Sequence, residues 1–409
     1  MNTSAPAPTA TGSPAAPAAL ATAPTVAPTP TPLRRAVGEG LKLFVIWRGA
    51  LLVLAFVAAN VTYQREGARP PVLPDHWFLS AHVRSDSLWY AEIAERGYYA
   101  ANGESNAAFF PLYPYLVRWL TPLTGNVYLT GLLLSNLSTA LALVFLFAIG
   151  LELVGREQTR RALVYLLVYP SSYFLGAFYT EGLFLLTSAS SFYFFLRRRY
   201  LLAGLCGLLA GLTRSAGLPL FLGYGATLAW QQLQEHRAGR RPRFEWGSLW
   251  LTLTLGSYPV FMLILQRQVG DPLAFARYLG NWNRAATAPW VAVARDWRRI
   301  DFSFAQRHDT NLHRVLEMAA TLGMLGLGST MALRGMHPAL WSYTLLSVLF
   351  PLSTGTVRSM LRYTGVVFPG FFGLAGLARG RTAERLIIFG FGFILATYYL
   401  RFVNAWFTG

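Results

Sequence analysis

Charged residues are scarce in this chain. Asp, Glu, Lys and Arg make up 13% of its 409 residues and hydrophobic residues make up 54%, whereas soluble domains carry about 25% charged residues. The apolar residues also gather in runs, several of them near the roughly 20 residues that a helix needs to cross a bilayer. The shortage of charge argues against a soluble protein and predicts a membrane protein with many helical spans.

Lysine and cysteine are almost absent, since Lys42 and Cys206 are the only residues of their kinds. The formal charge of +17 therefore comes almost entirely from arginine. The arginines lie in short segments between apolar runs, which is the pattern of cytoplasmic loops under the positive-inside rule. The positive charge therefore predicts a lipid bilayer, and not a nucleic acid, as the partner. A single cysteine permits no disulfide within the chain.

Several motifs of soluble enzymes are also missing. The sequence has no Walker loop, no dinucleotide fingerprint, no His-Glu-x-x-His and no Gly-x-Ser-x-Gly. His308 and His313, with Asp309 beside them, do not have the spacing of a metal site. We therefore expect no cofactor, no metal and no activity driven by a cytoplasmic nucleotide.

The chain divides into a tail and a membrane domain. Residues 1–40 are rich in Ala, Pro and Thr, and such a tract cannot bury enough apolar surface to fold, so a disordered cytoplasmic tail is predicted. Residues 41–409 are predicted to form one all-α domain of about 11 spans, oriented by the arginine-rich turns. The short pair of spans near 201–230 either crosses the bilayer or re-enters. The spans are predicted near residues 41–61, 127–153, 162–178, 182–196, 201–212, 218–230, 249–265, 315–333, 339–352, 363–377 and 386–403.

This topology leaves two long exterior loops, at about 62–124 and 266–312, and the first is expected to contain short amphipathic helices. Helical spacing in that loop places Asp86 on the same face as Trp89 and Tyr90, with two glutamates on the opposite, solvated face. Asp86 has two interpretations. It either caps the start of this helix or supplies a carboxylate for chemistry.

Large aromatic residues follow in the same loop and are interrupted by prolines that limit helix formation. They form either an interfacial aromatic belt or the apolar wall of a binding site. These residues are Tyr98, Phe109, Phe110 and Tyr113.

Three ionisable residues lie at the exterior ends of predicted spans, where charge is costly and is by default a candidate for function. They are Glu181, Arg214 and Arg362. The alternative for each is an internal ion pair or a side chain that extends to the membrane surface. Asp271, in the second exterior loop, precedes a proline and is equally suited to starting a turn.

The motifs occur in an order that resembles a known family. They are RSDSLWYAEIAERGY at 84–98, AFFPLYP at 108–114, YPSSYF at 169–174, YTEGLF at 179–184, TRSAG at 213–217, DPLAF at 271–275 and SMLRY at 359–363. Together they resemble the bacterial branch of the PIG-V type mannosyltransferases, which add the second mannose in GPI-anchor synthesis. Two positions depart from the pattern. Ser85 replaces a usual Trp, and the Gln of a Gln-x-x-Trp-x-Arg pattern that Trp282 and Arg284 continue is absent.

The resemblance implies a GT-C fold, in which the first large exterior loop carries a catalytic aspartate, here Asp86. It also implies a polyprenyl-phosphate sugar as donor, typically of mannose, and a hydroxyl acceptor on a glycolipid, a glycan or a protein. On this basis we expect a metal-independent, inverting glycosyltransferase in the bacterial inner membrane, with a cytoplasmic N-terminus and an exterior active site. Arg214 and Arg362 are then expected to bind the donor phosphate. The expected substrate-binding residues are Trp89, Tyr90, Tyr98, Phe109, Phe110, Tyr113, Glu181, Asp271, Trp282, Arg284 and Tyr363.

Two alternatives remain open from the sequence. A transporter or lipid flippase would also have many spans and intramembrane arginines, although no internal repeat of the kind common in transporters is visible. A GT-C transferase of arabinose or glucose would share the same motifs. Convergence of Asp86, Arg214 and Arg362 on one cavity would favour an enzyme.

Overall fold

A computed structural model describes residues 33–61, 72–73, 76–101, 103–282, 284–301, 303, 309–378 and 380–406 of the chain. Residues 1–32 of the predicted tail lie outside these described residues. The first helix begins at Leu33, so residues 33–40, which we expected to be disordered, are helical.

The described part of the chain is almost entirely helical, which confirms the predicted all-α class. One antiparallel hairpin interrupts it, with β1 Ala100–Ala101 paired to β2 Glu104–Ser105. Short 3₁₀ helices occupy Ser172–Gly176, Ser215–Gly217, Trp246–Gly256 and Tyr278–Trp282. The α-helices are α1 Leu33–Val61, α2 Trp77–Ser80, α3 Ser87–Arg96, α4 Leu112–Thr124, α5 Val127–Leu153, α6 Arg156–Leu167, α7 Glu181–Leu196, α8 Tyr200–Thr213, α9 Leu218–Arg237, α10 Ser257–Val269, α11 Ala274–Arg277, α12 Pro289–Trp297, α13 Asp309–Leu333, α14 Pro338–Leu352, α15 Met360–Thr364, α16 Phe368–Leu377 and α17 Arg381–Val403.

Five helical segments among the described residues are long and apolar enough to cross a bilayer. They are Ala36–Val61, Val127–Leu153, Trp246–Val269, Asn311–Leu333 and Arg381–Val403. Four shorter apolar helices, α7, α8, α14 and α16, lie among them. The chain is therefore a multi-pass membrane protein with short helices in its first long loop, as predicted.

Two predicted spans are wrong as continuous helices. The third was expected over 162–178, but α6 ends at Leu167 and the chain continues through a turn and a 3₁₀ helix. The tenth was expected over 363–377, but α15 ends at Thr364 and α16 starts afresh at Phe368. Pro170 and Pro369 explain both breaks, because proline lacks an amide hydrogen and disfavours a helical conformation in the residue before it.

Helix α5 packs in parallel against α7 and fixes the centre of the bundle. Its start is capped by Asn126, whose side-chain oxygen accepts hydrogen bonds from the backbone N–H of Tyr128 at 2.9 Å and of Leu129 at 3.0 Å. Near that end, the Ser135 hydroxyl donates to the Tyr179 carbonyl at 3.0 Å. Gly182 is required there, since a Cβ atom at this position would lie 2.6 Å from the Ser135 carbonyl oxygen.

The arginine-rich turns gather at the other end of α5 and α7. Arg197, just after α7, pairs with Glu152 near the end of α5, and Arg198 pairs with Glu245 at 2.8 Å. The Arg161 guanidinium, from α6, donates to the Ala378 carbonyl at 3.1 Å. These contacts place basic segments that are distant in sequence at one end of the bundle, opposite the start of α7.

The first long loop is folded over the opposite end. Helix α3 ends at Gly97, whose φ of +88° is a conformation that glycine adopts without strain. Asn106 then ties the two sides of the hairpin together, because its amide donates to the Gly97 carbonyl at 3.1 Å and accepts from the Tyr99 N–H at 3.0 Å. This connection delivers Phe109 and the start of α4 back to the side of α3.

Candidate active site

A large open cavity of about 1350 Å³ lies beside α3, at the end of the bundle away from the arginine-rich turns. Its wall includes the first loop with α3, the turn between α8 and α9, and the segment from 354 to 367, together with residues of other helices and of the second long loop. Asp86, Arg214 and Arg362 all line it. The structure therefore brings together the three residues whose convergence we expected of an enzyme.

Four ionisable side chains form a connected group, which we call the ion-pair quartet: Asp86, Arg362, Glu181 and Arg214. Arg362 donates to the Asp86 carboxylate at 2.6 Å, and its Nε atom lies 3.4 Å from the Glu181 carboxylate. Arg214 pairs with the same Glu181 oxygen. The side chains of Asp86 and Arg362 are only 20% and 11% exposed, so these charges interact where water screens them weakly. The quartet is neutral in sum.

The capping interpretation of Asp86 is wrong. Its backbone stands before the first residue of α3, but its side chain makes no cap hydrogen bond. The first amides of the helix are already satisfied, since Ser87 and Leu88 donate to the carbonyls of Arg84 and Ser85 at 3.1 and 3.2 Å. Ser85 takes a left-handed φ of +49° to make this turn. The carboxylate is thereby left to point towards Arg362.

Aromatic rings separate into those on the cavity wall and those behind it. Trp89 stacks on Phe109 with ring centroids 6.0 Å apart, and both line the cavity together with Phe110. Tyr90 lies behind them, edge-on to Phe109 at 5.1 Å and to Tyr113 at 5.5 Å. Burial raises the pKa of Tyr90, with the nearby carboxylates adding to the effect, so its phenol stays neutral.

Three of the predicted substrate-binding tyrosines are thus supporting residues. Among the described residues, Tyr90, Tyr98 and Tyr113 are not part of the cavity wall. The Tyr98 hydroxyl donates to the Phe109 carbonyl at 2.7 Å, and the Tyr113 hydroxyl donates to the Gly131 carbonyl at 2.9 Å. Sequence reasoning selected them as large aromatics of one loop, but packing directs their rings into the protein. Glu181 is likewise buried beneath the wall.

Arg284 and Tyr363 occupy the cavity wall beside the quartet. The Arg284 guanidinium donates to the Thr354 hydroxyl at 2.7 Å and to the Tyr363 hydroxyl at 3.0 Å. Three guanidinium groups surround the Tyr363 ring, with those of Arg214, Arg284 and Arg362 at 5.0, 5.5 and 5.6 Å from its centroid. In this part of the structure, three arginines face two carboxylates.

Among the described residues, Asp271 is not part of the cavity wall. Asp271 accepts a hydrogen bond from the Leu273 N–H at 3.0 Å and pairs with Arg277 at 3.2 Å. These contacts agree with the turn interpretation rather than with substrate binding. The backbone of Trp282 belongs to a 3₁₀ helix, and its side chain lies outside the description, as do Asn283 and His308.

The wall also contains charged residues that sequence reasoning passed over. Arg84 and Arg358 line the cavity, and so do Glu92 and Glu95 of α3. The polar face of α3, expected to meet bulk water, borders the cavity instead, while the face that carries Tyr90 packs into the protein. In the part of the chain that the structure describes, no group of three or more His, Cys, Asp or Glu side chains could hold a metal ion.

Comparisons with known proteins agree with this picture. The family model described as Mannosyltransferase (PIG-V) matches residues 71–237. ArnT from Cupriavidus metallidurans, solved with undecaprenyl phosphate bound, is similar in fold, with a TM-score of 0.50, 15% identity, and coverage of 87% of this chain and 64% of that one. An oligosaccharyltransferase from Archaeoglobus fulgidus, in the apo form, gives a TM-score of 0.45 at 14% identity and covers 90% of this chain and 56% of that one.

The chain thus spans less than two thirds of either solved structure, and no curated protein matches it. The matched family region contains Asp86, Glu181 and Arg214, which are three of the four members of the quartet. Over residues 71–237, the match agrees with the resemblance inferred from the motifs. The chain is a multi-pass membrane protein whose fold is similar to that of ArnT and whose residues 71–237 are similar to the PIG-V mannosyltransferases.

Proposed function

We propose that this enzyme transfers a hexose, mannose in the first instance, from a polyprenyl phosphate to a hydroxyl group on a glycolipid, a glycan or a protein. The observation that carries this proposal is the Asp86–Arg362 ion pair on the wall of an open cavity. The cavity lies away from the arginine-rich turns, which by the positive-inside rule face the cytoplasm. The site then faces the exterior of a bacterial inner membrane, and the N-terminus faces the cytoplasm.

Asp86 is the proposed general base. Arg362 orients this carboxylate, since it donates a hydrogen bond to one oxygen at 2.6 Å. The other oxygen is then available to take the proton of the acceptor hydroxyl. The acceptor oxygen attacks the anomeric carbon as the bond from that carbon to the phosphate oxygen breaks. A single displacement of this kind inverts the anomeric configuration and releases the polyprenyl phosphate.

The charge count points to Arg284 as the first ligand of the donor phosphate. We expected Arg214 and Arg362 in this role, but each already carries a carboxylate partner. The hydrogen bonds of Arg284 go to neutral oxygens of Thr354, Arg358 and Tyr363. Its positive charge is therefore available to stabilise the negative charge that develops on the departing phosphate. Arg214 and Arg362 act on the phosphate from the other side of Tyr363.

A lipid-linked donor also suits the location of the cavity. Nucleotide sugars are not supplied outside the cytoplasmic membrane, whereas a polyprenyl phosphate can diffuse in the bilayer to a site at the ends of the spans. The similarly folded ArnT was solved with undecaprenyl phosphate bound. Trp89 and Phe109 form the stacked, partly exposed surface on which we expect the sugar ring to lie.

The test is Asp86→Asn in the full-length protein, assayed in membranes with polyprenyl-phosphate mannose and a membrane lipid extract as the source of acceptors. The amide keeps the shape and still accepts a hydrogen bond from Arg362, but it removes the base. Turnover should fall by about 10²–10⁴-fold, while the melting temperature stays near that of the unmodified protein. Turnover near the unmodified rate would refute the base assignment. Parallel assays with glucose and arabinose donors decide the sugar.

A further inference from the structure

Two buried carboxylates outside the quartet point at one segment of backbone. Asp296, on α12, is 5% exposed, and Glu317, on α13, is 2% exposed. Among the described residues neither belongs to the cavity wall. Both side chains hydrogen-bond to residues 356–361, which comprise the end of the connection after α14 and the first residues of α15. We call these residues the clamped segment.

Four hydrogen bonds hold the clamped segment. Glu317 accepts the backbone N–H of Ser359 at 3.0 Å with one oxygen and that of Leu361 at 2.7 Å with the other. Asp296 accepts the backbone N–H of Val357 at 2.8 Å and the Thr356 hydroxyl at 3.1 Å with a single oxygen. Each carboxylate also has a nitrogen-bearing side chain beside it: the His313 imidazole lies 2.9 Å from Glu317, and the Arg299 guanidinium lies 3.2 Å from Asp296.

The conformation that these bonds hold is strained. Ser359 has a left-handed φ of +68°, a region that residues with a side chain enter only when their surroundings enforce it. Arg362 follows directly, and its N–H donates to the Ser359 carbonyl at 3.1 Å. The direction in which Arg362 leaves the backbone therefore depends on Ser359, whose N–H is held by Glu317.

The clamped segment and the two residues that follow it contribute two arginines to the cavity wall. Arg358, Ser359, Arg362 and Tyr363 all line the cavity, and the Arg358 carbonyl accepts a hydrogen bond from Arg284 at 3.3 Å. A shift of this backbone would move Arg362 relative to Asp86 and Tyr363 relative to Arg284. A misplacement of about 1 Å is enough to cost about 10²-fold in rate.

We propose that Glu317 and Asp296 are positioning residues, which fix the clamped segment so that Arg362 meets Asp86 and Tyr363 meets Arg284. This inference rests on the proposed function, because sugar transfer is its main readout. A carboxylate is needed at Glu317 in particular. Both of its oxygens accept an N–H, whereas an amide has one acceptor and would turn its own NH₂ group towards the second N–H.

The experiment compares Glu317→Gln with Glu317→Asp and with the control Glu245→Gln, all in the full-length protein. Glu245 pairs with Arg198 and Tyr200 at the opposite end of the bundle. We expect Glu317→Gln to lower kcat at least about tenfold, a change of 1.4 kcal/mol in the barrier. Glu317→Asp should recover part of this loss, because it restores a carboxylate, and the control should leave kcat unchanged.

Two further measurements separate positioning from general stability. In an Asp86→Asn background, Glu317→Gln should lose much less activity than it does alone, because residues that act as one unit are not additive. Hydrogen exchange over a peptide that covers 353–364 should rise in Glu317→Gln and not in Glu245→Gln. If Glu317→Gln does not fold, Asp296→Asn gives the same test from the other carboxylate.

The outcomes are distinct. Faster exchange with unchanged kcat would refute the proposal, because the carboxylates would then serve only the fold. Unchanged exchange and unchanged kcat would refute it as well. An unmodified protein that transfers no sugar would refute the proposed function, and the positioning role would then be decided by binding of polyprenyl phosphate. Weaker binding by Glu317→Gln, with normal binding by Glu245→Gln, would support it, and equal binding would refute it.

Discussion

The two ends of the helix bundle contain the same kind of contact in different surroundings. Near the cavity, Asp86 and Arg362 pair with 20% and 11% of their side-chain surface exposed. At the other end, Glu157 and Arg160 of α6 pair at 3.1 Å with 69% and 55% exposed. The difference in burial decides which pair carries energetic weight.

An exposed pair contributes little, because water and salt screen it, and measured values are about 0.2–1 kcal/mol. A buried pair behaves otherwise, since removing one partner leaves an uncompensated charge at a cost of about 3–5 kcal/mol. At the cavity end, the ion pairs also lie next to a cavity whose wall contains aromatic rings and a third arginine, Arg284. Burial alone does not distinguish the two ends, because Arg197 and Glu152 at the other end pair with 12% and 21% of their side chains exposed. The shared cavity is what sets the Asp86–Arg362 pair apart.

The largest effect is expected from Arg362→Ala, which removes the cation of the buried ion pair in this comparison. Asp86 and Glu181 would lose a cation, so the free energy of unfolding should fall by about 3–5 kcal/mol. Turnover should fall by about 10²–10³-fold, the usual cost of removing one preorganised electrostatic group. Thermal melting and the mannose-transfer assay measure the two effects.

Arg362→Lys is the matched variant. It keeps the charge but not the planar fork of donors, so it should recover most of the stability and only part of the turnover. If Arg362→Ala keeps both near their original values, the quartet has no special role and the contrast between the two ends fails.

An intermediate effect is expected from Arg284→Gln. Because Arg284 has neutral partners, its loss leaves no carboxylate unpaired, and the melting temperature should change little. Binding of polyprenyl phosphate should weaken by about 10–100-fold, since hydrogen bonds to charged groups contribute about 1.5–3 kcal/mol. Titration of the detergent-purified protein with polyprenyl phosphate measures this change. Equal binding by the variant would remove Arg284 from the phosphate site.

The smallest effect is expected from Arg160→Gln at the opposite end. The Arg160–Glu157 pair is exposed, so the free energy of unfolding should change by less than about 1 kcal/mol. Turnover and donor binding should both match those of the unmodified protein. A large loss of turnover in this variant would contradict the assignment of function to one end of the bundle.

Much of the site could be predicted from the sequence by one physical rule. Charge at the end of a membrane span is costly, and this rule selected Glu181, Arg214 and Arg362. Applied to the first residues of the eighth predicted span, it would also have selected Glu317, which lies three residues inside it. Asp296 offered no such signal, because a carboxylate that accepts backbone N–H groups leaves no periodic pattern in the sequence.

The partners of these residues could not be predicted. The sequence does not show that Arg362 pairs with Asp86, or that Glu181 contacts two arginines. These contacts join segments that are far apart in the chain. Periodicity also assigned the polar face of α3 to bulk water, whereas Glu92 borders the cavity. The aromatic loop was correctly located, but only packing distinguishes Phe109 on the wall from Tyr113 behind it.

The separation of Asp86 and Arg362 in the chain has a consequence for how the enzyme is made. The two residues are 276 positions apart, and a chain is synthesised and inserted from its N-terminus. Asp86 is therefore in place long before the arginine that pairs with it has been translated. The proposed catalytic centre is completed only once Arg362 has been inserted. A chain terminated before residue 362 would hold the aspartate without its partner, and we expect such a chain to be inactive.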